Sequence, residues 1–181
     1  GIEAINGTFL RYKYLKKRLG EYSAFDKIDQ ILALKKKTFV YANDDYTPGD
    51  GGFNEAAVIA FAPNNTQQEI MGALKSGNFY ALQGSSAPKI TIDITGSSLV
   101  VNSDRQSIIR FIGDGGKILK AEKDVYASGY AFVGNEKYVR AEVESVETGK
   151  KSWTQPVFVN QTINYLNLSA GEHTITAKDA F

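Results

Sequence analysis

The residues best placed for chemistry are three carboxylates in one glycine-rich stretch, Asn43-Asp44-Asp45-Tyr46-Thr47-Pro48-Gly49-Asp50-Gly51-Gly52. Asp44, Asp45 and Asp50 are close enough in sequence to share a hard cation such as Ca²⁺ or Mg²⁺ through oxygen ligands alone. Their spacing matches no EF-hand loop. A structural reading competes: in such a loop Asp44 and Asp45 cap turns by accepting backbone N–H bonds. Other chemistries find less material. The chain has no cysteine, which excludes disulfides, a thiolate nucleophile and a thiolate metal site. Its one histidine, His173, reads as a surface residue on a terminal strand, and no Gly-x-Ser-x-Gly elbow seats a serine for a triad. Gly113-Asp114-Gly115-Gly116 lies between strands, the wrong context for a phosphate cradle. Glu142 and Glu144 flank Val143 and are expected on a solvated strand face. Trp153, with Tyr138 and Tyr130, offers either an aromatic platform for sugar or core packing.

These candidates depend on the elements that carry them. Ile2 to Asn6 reads as a strand ending at the turn pair Asn6-Gly7. Phe25, Ile28, Ile31, Leu32 and Leu34 recur near the helical period, with Ser23 as a cap and Lys35, Lys36 and Lys37 favourable at the carboxy end. Thr38 to Ala42 and Ala57 to Phe61 are continuous apolar runs, as in parallel strands buried on both faces. The carboxylate loop lies between them, at the carboxy end of a strand, where α/β proteins keep their sites. A helix is expected from Thr66 to Lys75, stopped by Gly77, then a strand from Phe79 to Leu82. From about residue 87 the pattern turns to period two: Ile90, Ile92 and Ile94 share one face, and short strand candidates follow, separated by glycine turns. The expected fold is α+β: a partial α/β part over residues 1–84, an antiparallel β-sandwich over 85–160, and a tail strand or a further module over 161–181. Three or four parallel strands cannot close a barrel, which needs about eight, so the first part reads as the end of something larger.

Composition narrows the partners. Lys and Arg number 21 against 20 Asp and Glu, so no strong positive field favours nucleic acid. The exception is the basic, aromatic run from Arg11 to Arg18, which suits a solvated helix face with Tyr12, Leu15 and Leu19 inward. No apolar run approaches the ~20 residues of a membrane helix, so no membrane partner is expected. Self-association is expected of the strand edges that an incomplete barrel leaves open. The compartment stays open.

Six segments, in order, carry a family resemblance. Gly1 to Gly7, Ala42 to Thr47, Ala73 to Ala81, Ile109 to Gly113, Tyr138 to Val143 and Ser152 to Phe158 resemble segments of bacterial metal-dependent phosphoesterases of the PHP (polymerase and histidinol phosphatase) class. They match the last barrel strands and the β-domain that follows, over roughly residues 1–159. The resemblance implies a parent barrel holding divalent metals (Zn, Mn or Fe) in His, Asp and Glu ligands, and a small phosphoester substrate attacked by metal-activated water. In that pattern Asp45 keeps the carboxylate of a late Asp-x-His pair, with Asp44 before it, while Thr47 stands where the imidazole belongs. Most ligands of the parent family precede the first matched segment. The resemblance therefore implies a chain that is inactive alone, with a partial metal site or none. The alternative is a non-catalytic binding or interaction module with a degenerate site, carbohydrate-binding through Trp153 being one form.

Overall fold

Alternation along Tyr138–Ser145 shows how the fold is organised. Tyr138 faces one apolar cluster, while Val139, Ala141 and Val143 face another, as period-two side chains must when a strand is buried on both sides. The computed structural model describes residues 1–11, 23–46, 48 and 53–159. Thr47, Asp50, His173, the basic run from Tyr12 onward and the tail over 161–181 lie outside the described residues.

The described residues are mostly antiparallel β-sheet with few helices. The elements run β1 (Ile2–Asn6), α1 (Gly7–Arg11), α2 (Phe25–Ala33), β2 (Val40–Asn43), β3 (Ala57–Ala60), α3 (Gln67–Ser76) and β4 (Phe79–Leu82). β5 (Ile90–Thr95), β6 (Ser98–Gly113), β7 (Lys117–Ala131), β8 (Tyr138–Ser145), β9 (Lys151–Trp153) and β10 (Val157–Phe158) complete the order. One sheet runs β3-β4-β9-β8-β6-β5, with β7 on β6 and β10 on β8. The first cluster packs Tyr80, Leu82, Ile90, Ile92, Val101, Ile109 and Phe111 against the odd residues of β8. On the opposite face Ala81, Tyr138, Trp153 and Phe158 meet Ala4, Ile5, Ile28, Leu32, Val40 and Ala42. The pair β1–β2 and helix α2 thus form a layer over the sheet.

Local chemistry explains several boundaries. Thr66 Oγ1 accepts the Glu69 N–H at the start of α3, 3.3 Å away, and Gly77 ends that helix at φ +88°, as an N-cap and a left-handed C-cap require. At α2 the Phe25 N–H reaches Ser23 Oγ at 3.4 Å. Leu34, expected on the inner face, is exposed because the helix stops at Ala33.

Two expectations about pairing need correction. β1 and β2 are parallel, but β3 and β4 are antiparallel. The reason lies in Asn78, whose Nδ2 donates to Phe61 O at 2.7 Å while Asn78 O accepts the Phe61 N–H at 3.0 Å. The chain therefore re-enters the sheet beside the point where it left, so β4 runs back along β3. A parallel return would need a crossover to the far end. β4 also pairs β9, Ala81 opposite Trp153, so the sheet runs across the boundary expected at residue 84.

Glu142 and Glu144 do not form a solvated face. Arg110 lies opposite Glu142 on β6, and Lys151 opposite Glu144 on β9. Arg110 Nη1 sits 2.9 Å from Glu142 and 2.7 Å from Glu144, and Lys151 Nζ 3.0 Å from Glu142. Trp153 Nε1 donates to Glu142 Oε2 at 3.0 Å. Burial pushes the Glu142 carboxyl up, but the Trp153 hydrogen bond and the Lys151 and Arg110 charges outweigh it and hold the group below its ordinary value.

Candidate functional site

The carboxy ends of β1 and β2 lie side by side, and four polar side chains converge there. Asn6 Nδ2 donates to Asp45 Oδ2 at 3.1 Å and approaches Glu3 Oε2 at 3.4 Å. Asn43 Nδ2 donates to Glu3 Oε1 at 3.0 Å. Asn6 is itself held, its Oδ1 accepting the Phe9 N–H at 3.2 Å. Strict alternation would place Glu3 and Asn6, three residues apart, on opposite faces of β1. The register shifts between Glu3 and Ile5, and this extra residue brings both to one side.

Asp44 and Asp45 point to different work. Asp44 accepts the backbone N–H of Asn54 at 2.7 Å and of Glu55 at 2.8 Å, closing the neck of the glycine-rich loop as a turn cap does. Gly7 packs so close to Asp44 that a Cβ there would stand 2.6 Å from its carboxylate oxygen. Asp45 takes a left-handed φ of +50°, held by Thr8 Oγ1 donating to Asp45 O at 2.8 Å. That conformation is uncommon outside glycine, though aspartate tolerates it better than most. The Asp45 carboxylate in turn accepts from Asn6.

The donors that converge among the described residues are two carboxylates and two carboxamides. Such an oxygen set suits a hard cation and not an imidazole-rich Zn or Fe centre. Among the described residues no three His, Cys, Asp or Glu side chains come together around one point. Among the described residues the set has no imidazole, and no catalytic step through metal follows from it. Glu3, Asn6 and Asn43 were not singled out by sequence reasoning. The one available signal was a lone charge, Glu3, inside an apolar strand.

A second polar centre is buried between the layers. Asp29 on α2 accepts Arg140 Nε at 2.9 Å and Nη2 at 2.7 Å, with the Tyr138 hydroxyl donating to it at 2.7 Å. The Arg140 guanidinium lies over the Phe25 ring, 4.6 Å from its centroid. Burial, together with the Asp29 carboxylate, drives the Tyr138 phenol well above its ordinary value. Trp153 is 2% exposed and packs on Phe25 with ring centroids 5.2 Å apart. Its ring is part of this core and offers no face for stacking a sugar.

The architecture is a β-rich α+β fold with a small parallel corner carrying the polar cluster. No family model matches the chain, and neither curated proteins nor solved structures match it. Among the described residues no helix is long and apolar enough to cross a membrane.

Proposed function

We propose that the chain is the carboxy-terminal portion of a PHP-like metal-dependent phosphoesterase, comprising late barrel strands and the β-domain after them, and that it hydrolyses no phosphoester on its own. One observation carries this reading. The two strands whose sequences resemble late barrel strands lie parallel and adjacent, and their carboxy ends bring Asp45 to 3.1 Å from Asn6. That is the end of a parallel sheet at which α/β enzymes work. The expected inactivity rests on the sequence pattern, in which Thr47 stands where the resemblance calls for an imidazole. A second reading, a non-catalytic binding or interaction module, draws support from Asp44, whose carboxylate is consumed in closing its own loop.

Incubation with bis(p-nitrophenyl) phosphate and Mn²⁺ or Zn²⁺ tests the proposal. No turnover above the metal-only blank is expected. Metal-dependent turnover that Asp45→Asn abolishes would overturn the claimed inactivity.

A further inference from the structure

We draw no further inference here: the strongest candidate, the Glu3–Asn6–Asn43–Asp45 cluster at the carboxy ends of β1 and β2, belongs to the site already described.

Discussion

Replacing Asp29 by alanine tests how the helical layer is held to the sheet. Asp29 and Arg140 are paired through two hydrogen bonds, and their side chains are only 5% and 3% exposed. Removing the carboxylate leaves an uncompensated guanidinium in the interior, its Nη1 already without a hydrogen-bond partner among the described residues. Stranding one member of a buried ion pair costs about 3–5 kcal/mol. The Tyr138 hydroxyl loses its acceptor as well, at about 1 kcal/mol. The Phe25 ring, 4.6 Å from the guanidinium, is present in both proteins, so its cation–π attraction cancels in the difference. The expected net loss is about 5 kcal/mol, a third or more of the total stability of an ordinary domain. With a urea slope of about 2 kcal/mol/M, the unfolding midpoint falls by about 2.5 M.

The assay is equilibrium urea unfolding followed by tryptophan fluorescence. Trp153 is the chain's one tryptophan, and it lies against Phe25 at the junction being tested. The double replacement Asp29→Leu with Arg140→Met separates strength from burial. Removing both charges leaves neither stranded, so the double variant should recover most of the loss, as buried pairs replaced by apolar groups often do. A loss below 1 kcal/mol in Asp29→Ala, or a double variant no better than the single, refutes the reasoning.

Gln155→Ala should cost about 2 kcal/mol, because its amide serves both the Val40 N–H at 2.8 Å and the Val40 carbonyl at 3.0 Å. Thermal melting should show a drop of about 4–8 °C. Gly77→Ala should destabilise by at least about 1 kcal/mol in the same measurement, since φ is +88° and an added Cβ would run into the Phe39 ring. Acid unfolding should report on Glu142, whose carboxyl is held below its ordinary value. The sign follows from linkage: a depressed carboxyl contributes stability above its unfolded value and loses it as pH falls through the folded one. Wild type should therefore lose stability below about pH 4.3, and Glu142→Gln should show a shallower slope there in urea melts taken across pH.

The strands were largely legible because their pattern is local. Ile90, Ile92 and Ile94 alternate, and β5 is found at Ile90–Thr95. Thr66 and Gly77 bracket α3 because capping needs only neighbouring residues. Pairing direction was not legible. It depends for β3 and β4 on Asn78 meeting Phe61, seventeen residues away, and nothing in either apolar run encodes that contact. In β6 and β7 the polar stretches Asn102-Ser103-Asp104-Arg105-Gln106 and Lys123-Asp124 interrupt the apolar pattern. The strands continue through register shifts instead of ending, with Asp124 at φ +58°. Glu142 and Glu144 looked solvated because they alternate with Val143 and the cations that pair with them are distant in sequence. Their partners, Arg110 and Lys151, come from other strands.

The polar corner owes its existence to contacts made far from it. A two-stranded parallel pair buries too little to stand alone, and β1–β2 carries the whole Glu3–Asn6–Asn43–Asp45 cluster. Apolar packing from Ala4, Ile5, Val40 and Ala42 against Tyr138, Trp153 and Phe158 supplies adhesion, but hydrophobic contact is non-directional and sets no register by itself. Two polar clamps provide direction. Gln155 completes the edge of β2 at Val40, and Asp29 fixes α2 on β8 through Arg140 and Tyr138. Tyr138 also accepts the Gly116 N–H at 3.3 Å, so the tip of the β6–β7 hairpin joins the same centre. The antiparallel sheet therefore acts as the support on which the corner is aligned. On that division of labour Asp29 and Gln155, whose replacement is expected to be costly, lie outside the cluster they support.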